Sequence, residues 1–189
     1  LWKITEEYLE GRGKLLLSTV HGSTLYGTSH ENSDEDYYFV TEYGKSRQRK
    51  ITLDDGREID FIVIGLKSFL MELDKGTHQA CDALFSKMKI VAPEYEQYFD
   101  SLRPYSVEAR DRYMRVSKRL AYDDSLKKRV HAIRMRLNLA EYQHTGRFDP
   151  TLDHVAVALI RAVANLLQGD DLVTYMQQMI DNRPLSVRD

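Results

Sequence analysis

Gly22-Ser23-Thr24-Leu25-Tyr26-Gly27-Thr28-Ser29-His30-Glu31-Asn32-Ser33-Asp34-Glu35-Asp36 decides the reading of this chain. It joins two apolar runs, Leu15-Leu16-Leu17-Ser18-Thr19-Val20 before it and Tyr37-Tyr38-Phe39-Val40 after it. Both read as short strands. Residues i and i+2 of a strand point to one face, so Asp34 and Asp36 can present two carboxylates to one point. Two adjacent carboxylates repel each other unless a cation lies between them. A hard divalent cation such as Mg²⁺, already carrying phosphate oxygens, suits such a pair. Gly22 lets the backbone pass close to a ligand. Ser23 offers a hydroxyl and a backbone N–H to a phosphate at a helix N-terminus. An isolated Asp-x-Asp is ordinarily a solvated turn or a helix cap. The Gly-Ser pair after one strand, and the second strand directly after the acids, favour the functional reading.

Outward from this stretch, residues 2–11 have helical apolar spacing, with Gly11 and Gly13 ending that helix. Residues 15–20 read as a buried strand, 23–31 as a short helix or loop, and 35–42 as a second strand. Residues 43–50 read as a polar, basic loop. Asp54-Asp55-Gly56 signals a hairpin turn that pairs 50–53 with 57–64. From Leu66 the period turns helical, and further helices are predicted over 77–86, 93–101, 106–121, 124–145, 152–168 and 170–181. The expected class is α/β (α+β): a small mixed β-sheet domain over 1–104, then an all-helical domain over 105–189. There is no internal repeat and no low-complexity segment.

Composition sets bounds on partners. The 189 residues are 42% hydrophobic and 30% charged, as in a globular domain. A net charge of −2, from 27 basic and 29 acidic residues, does not call for a nucleic-acid or anionic-membrane partner. No apolar run approaches the roughly 20 residues needed to span a bilayer. No signal peptide is visible, and a cytoplasmic location is the expectation. Cys81 is the single cysteine, so neither an internal disulfide nor a cysteine-based zinc site can form.

Gly22-Ser23, ten residues, then Asp34-x-Asp36 resembles the signature of the polymerase β-like nucleotidyltransferase superfamily. The form with Tyr26-Gly27-Thr28 and Ser33-Asp34-Glu35-Asp36 is similar to the predicted nucleotidyltransferases of bacteria and their phages. The resemblance continues through Ile64-Gly65-Leu66-Lys67-Ser68-Phe69-Leu70, Asp82-Ala83-Leu84-Phe85, Lys128-Arg129-Val130-His131-Ala132-Ile133-Arg134 and Thr145-Gly146. It touches about three quarters of the chain. The family usually has Glu at the position of Asp82, and Asn-Pro or similar where this chain has Thr77-His78-Gln79. The resemblance implies transfer of a nucleoside monophosphate from an NTP, ATP foremost, to an acceptor hydroxyl with release of pyrophosphate. It implies Mg²⁺ or Mn²⁺ as cofactor, with Asp34 and Asp36 bridging two ions and Asp60 holding the one nearest the acceptor. Gly22 and Ser23 would hold the β- and γ-phosphates. The acceptor, whether protein, RNA or small molecule, is not legible. The alternative is a catalytically silent nucleotide-binding regulatory or antitoxin-like module.

Other residues carry two readings each. In Arg57–Ile64 the alternation puts Glu58, Asp60 and Ile62 on one face. Asp60 is there either the third carboxylate, with Glu58 as its alternative, or an edge acid facing water. Lys127, His131 and Arg134 share a helical face beside an apolar stripe of Leu126, Val130, Ile133, Leu137 and Ala140. That face is either solvated or turned toward a triphosphate. Tyr26 and Tyr37 could stack on a base or belong to the core. Lys45, Arg47, Arg49 and Lys50 read as a solvated basic loop.

Overall fold

The computed structural model describes residue 9 and residues 11–29, 33–52, 56–104 and 106–181. The helix expected over 2–11 and the turn at Asp54-Asp55 lie outside the described residues. Five strands form one mixed sheet: β1 (Leu15–His21), β2 (Glu35–Thr41), β3 (Arg47–Thr52), β4 (Glu58–Gly65) and β5 (Ile90–Val91), in the order β3-β4-β2-β1-β5. β2 lies between β1, antiparallel to it, and β4, parallel to it. A one-turn helix α1 (Gly22–Leu25) follows β1 directly. Then come α2 (Leu66–Asp74), α3 (His78–Phe85), a 3₁₀ turn at Pro93–Tyr95, α4 (Glu96–Ser101), α5 (Ser106–Ala121), α6 (Leu126–Thr145), α7 (His154–Leu166) and α8 (Gly169–Asp181). This is an α/β sheet followed by a helical C-terminal part, as the sequence predicts. No helix among the described residues is long and apolar enough to cross a membrane.

The strand period sorts the sheet into two faces. Leu17, Tyr38, Val40 and Ile64 face the helices and join Phe69, Leu84, Phe99, Tyr113, Met135 and Leu139 in the main core. Phe39, Ile59, Phe61 and Val63 form a smaller cluster on the opposite face. A third cluster, including Val130, Ile133, Ile160, Ala164, Leu172 and Met176, holds the last helices together. The boundary expected near Pro104 falls between α4 and α5. The main core runs across it, because Tyr113 of α5 and Met135 of α6 pack with the sheet.

Two local expectations are corrected. Residues 47–50, expected as loop, are strand: β3 pairs antiparallel with β4 along its whole length. It is an edge strand, and its exposed charged side chains keep an unpaired edge from recruiting other chains. Those charges erase the apolar alternation that marks a strand. The single apolar stripe expected on α6 is also wrong. Leu126 is exposed, while Ala132, Met135 and Leu139 are buried, as are Arg129, Arg134, Arg136 and Asn138. The helix is surrounded, and its buried arginines are satisfied locally. Arg129 Nε donates to the Ala164 carbonyl at 2.8 Å, and Arg136 Nε to Ser117 Oγ at 2.6 Å.

Candidate functional site

The end of β1 and the start of β2 meet in register, His21 opposite Asp36, and Asp36 is opposite Asp60 on the parallel neighbour β4. Asp36 and Asp60 therefore sit side by side on the helix-packed face of the sheet. Asp34 lies just before β2 and is exposed. Its charge and that of Asp60 both act on Asp36. Burial, then Asp60, then Asp34 push the Asp36 carboxyl above its ordinary pKa, with Lys127 opposing them. None of the three carboxylates forms a hydrogen bond or ion pair with the described residues.

A glycine is required directly after β1, at Gly22. Its φ is +61°, in the left-handed region. A Cβ added there would lie 1.9 Å from Asp36 Oδ2 and 2.7 Å from Asp36 Cγ. The missing side chain is the space the carboxylate occupies. Gly22→Ala is expected to cost about 1–2 kcal/mol from backbone conformation alone, and more from displacing Asp36. Urea denaturation in wild-type and Asp36→Ala backgrounds separates the two terms. An equal cost in both would show that the contact with Asp36 does not matter.

A cleft of about 670 Å³ opens between this turn and the N-terminal half of α6, lined in part by Gly22, Ser23, Asp36, Lys127, His131 and Arg134. Six of the eight residues singled out from the sequence thus line one cavity; Asp34 and Asp60 lie outside its wall. Lys127 is exposed at the rim and pairs with no described acid. Lys128, also on the wall, is bound to Asp123 at 2.7 Å. Arg161 reaches across from α7 and donates to the Thr28 carbonyl at 2.9 Å.

The floor of the cleft is a buried polar cluster. Arg134, 1% exposed, donates through both terminal nitrogens to Asp82, which is fully buried, at 3.4 and 3.2 Å. Tyr26 Oη donates to the same carboxylate at 2.8 Å. The Arg134 guanidinium lies 3.5 Å over the Tyr26 ring centroid. Burial works against the Arg134 charge, yet Asp82 and Tyr26 hold its pKa above the ordinary value. Arg134 also lies 3.2 Å from His131 Nδ1; the guanidinium has only hydrogens to give, so His131 accepts and is neutral. Burial, then Arg134, drive the His131 pKa well down. His78 packs edge-on against His131 at 5.0 Å, and burial lowers its pKa to about 4. His21 is likewise depressed, first by burial.

This geometry decides between the readings left open for two residues. Arg134 is not on a solvated face but tied into the core by Asp82. Tyr26 has one ring face covered and its hydroxyl engaged, so it is not a free platform for a base. Asp82, His78 and Arg161 were missed as members of the site. For Asp82 a signal existed: one acid inside Ala80-Cys81-Asp82-Ala83-Leu84-Phe85 must find a buried partner or forfeit its charge.

Among the described residues no group of three or more His, Cys, Asp or Glu side chains is placed to hold a metal ion. Asp34, Asp36 and Asp60 thus form no such group, although the charge of Asp34 is felt at Asp36. What is present is an in-register pair of acids, mutually repelling and joined in no ion pair among the described residues, with Lys50 opposite Asp60 held by Glu58. Such a pair fits Mg²⁺, which takes one or two carboxylates and completes its shell with phosphate and water.

No family model matches the chain, and no curated protein matches it. Among solved structures it is similar to a nucleotidyltransferase-like protein from Exiguobacterium sibiricum, at 12% identity and a TM-score of 0.41, over 97% of this chain and 67% of that one.

Proposed function

We propose that this protein is a metal-dependent nucleotidyltransferase. It would move a nucleoside monophosphate from an NTP, ATP foremost, to an acceptor hydroxyl and release pyrophosphate. The observation that carries this reading is the Asp36–Asp60 pair, held in register beside a cleft that starts at Gly22-Ser23. A Mg²⁺ or Mn²⁺ ion bound there, with Asp34 alongside, would neutralise charge on the phosphates. The chain's own residues position the substrate. Ser23 offers its hydroxyl in the first turn after β1. Lys127 attracts the triphosphate from the rim. Arg134, held by Asp82, fixes the floor against which the nucleotide lies. Asp60, one strand over, takes the proton of the attacking hydroxyl. Phosphoryl-type transfer needs this kind of positioning and charge balance more than covalent help.

The test is to incubate the purified protein with each of the four NTPs and Mg²⁺ and to follow pyrophosphate. Release that stops on chelation with EDTA is the expected result. Nucleotide bound but never turned over would favour the silent regulatory module. Lys127→Ala is expected to raise the apparent KM for NTP by roughly ten- to a hundredfold, since a hydrogen bond to a charged group contributes about 1.5–3 kcal/mol. Its melting temperature should stay unchanged, because the side chain is exposed and unpaired among the described residues. An unchanged KM would remove Lys127 from the phosphate site.

A further inference from the structure

One helix carries apolar residues on its outward face as well as its inward one. α7 buries Val157, Ile160 and Ala164, the last two in the cluster that holds the final helices together. An outward face of polar residues should complete such a helix. Instead Val155 is 63% exposed, Leu159 59% and Leu166 80%, with Ala158 and Ala162 exposed between them. Positions 155, 158, 159, 162 and 166 follow steps of three and four, so they share one stripe along the helix. Ten of the 13 residues of α7 are Ala, Val, Leu or Ile, and a helix that is apolar all round is ordinarily covered all round. α5 shows the contrast: its exposed positions include Glu108, Arg110, Asp111, Arg115, Lys118 and Arg119.

Charge does not stand in the way of a partner on this stripe. Arg161 is the one Lys, Arg, Asp or Glu of α7, and it turns to the cleft, where it donates to the Thr28 carbonyl at 2.9 Å. A covering surface would therefore have no ion to desolvate on the stripe itself. The chain's net charge of −2 does little to oppose self-association. The stripe is also complementary to itself. Let two copies of α7 lie antiparallel about a two-fold axis midway between positions 160 and 161. Val155 of each copy is then level with Leu166 of the other, and Leu159 with Ala162, because the members of each pair are equally far from the axis. A large side chain meets a small one twice at the centre, and two pairs of large ones close the ends. Alternating large and small residues in this way lets two helix faces interdigitate.

We infer that the outward face of α7 is covered by a second copy of this chain, the two helices pairing antiparallel across a two-fold axis through Val155, Ala158, Leu159, Ala162 and Leu166. Isologous pairing of this kind uses one patch on both copies, and it is the commonest closed symmetry among soluble oligomers. The size of the face sets the strength of the pair. A helix of 13 residues is about 20 Å long. One face of it offers a few hundred Å² of apolar surface, less than the roughly 800 Å² per partner of a standard stable interface. The dimer is accordingly a weak one, with a dissociation constant of about 10⁻⁵–10⁻³ M. The inference does not depend on the chemistry of the cleft.

Sedimentation velocity of the full chain, from about 2 μM to about 1 mM so as to bracket that constant, is the test. The mean mass should rise with concentration from that of the 22.0 kDa monomer toward twice that value. Leu159→Glu and Ala162→Lys each put two like charges into the seam, and each should weaken pairing about a hundredfold or more. Both positions are exposed, so neither variant should melt lower than wild type at micromolar concentration. An equal mixture of the two should pair again where neither does alone. In the mixed dimer the new carboxylate at 159 is level with the new ammonium at 162, and the other central contact is the wild-type one. A chain that stays monomeric throughout overturns the inference, as does a dimer indifferent to both variants. A mixture no better paired than its components overturns the antiparallel register. A marked fall in melting temperature for Leu159→Glu and Ala162→Lys alike would show the stripe covered within the chain, and would overturn the inference as well.

Discussion

Asp36→Asn is expected to lower nucleotidyl transfer by roughly 10²–10³-fold, the usual cost of removing one group that balances charge in the transition state. The fold should survive. The Asp36 carboxylate has no hydrogen bond or ion pair among the described residues, and it faces two like charges that Lys127 only partly offsets. Its carboxyl has a raised pKa in the folded protein, so the native state holds a proton that the unfolded chain has already released. In the window between the ordinary value of 3.8 and the raised one, the native state binds more protons. Stability therefore falls as pH rises through that window. Asparagine removes the charge, so the variant should melt no lower than wild type at neutral pH, and the difference should vanish once Asp36 is protonated in both states. Pyrophosphate assays and thermal melts at pH 3 and pH 7 check both halves. Near-normal transfer by Asp36→Asn would sink the catalytic assignment. A large loss of stability at pH 7 would show that Asp36 is bound more favourably than its surroundings indicate.

Arg134→Ala and Asp82→Ala are expected to be the most damaging substitutions to stability. Each leaves a charge in a site without solvent, and breaking a buried ion pair from one side costs about 3–5 kcal/mol. For a chain of this size that is a fall of about 6–20 °C in melting temperature. Asp82→Ala also strands the Tyr26 hydroxyl, which donates to the same carboxylate. The double variant Arg134→Leu/Asp82→Leu should recover much of the loss, since a packed apolar pair of similar volume carries no desolvation penalty. Single variants that melt like wild type would contradict the buried pair. A double variant as unstable as the singles would show that the cluster acts through shape rather than charge compensation.

Much of the sheet was legible because its signals are local. The runs at 15–20 and 37–40 are apolar and β-branched or aromatic, and the acids between them could be placed by counting. The helices of the second half followed from period alone. What stayed hidden depends on partners distant in sequence. β3 carries Arg47, Gln48, Arg49 and Lys50, and its pairing to β4 is visible only once the backbone is placed. The polar line Lys127, His131, Arg134 is one stripe on paper and three environments in space: an exposed amine, a neutral imidazole and a core guanidinium. Spacing of four and three fixes a helix face, but burial there is decided by α3 and by Tyr26. Asp82 and His78 belong to the site for the same reason, through contacts 52 and 53 positions away in the chain.

Many two-lobed enzymes admit substrate by swinging the lobes apart on a hinge. The ion pair beneath this cleft closes that route. Arg134 on α6 and Asp82 on α3 are the joint between the helical half and the sheet half. A swing wide enough to part them would leave both charges stranded, at a cost of about 3–5 kcal/mol. The open form would then hold roughly 10⁻²–10⁻⁴ of the population. Any ligand of the cleft would therefore enter and leave a notch of fixed width, with exposed rim side chains such as Lys127 as its moving parts.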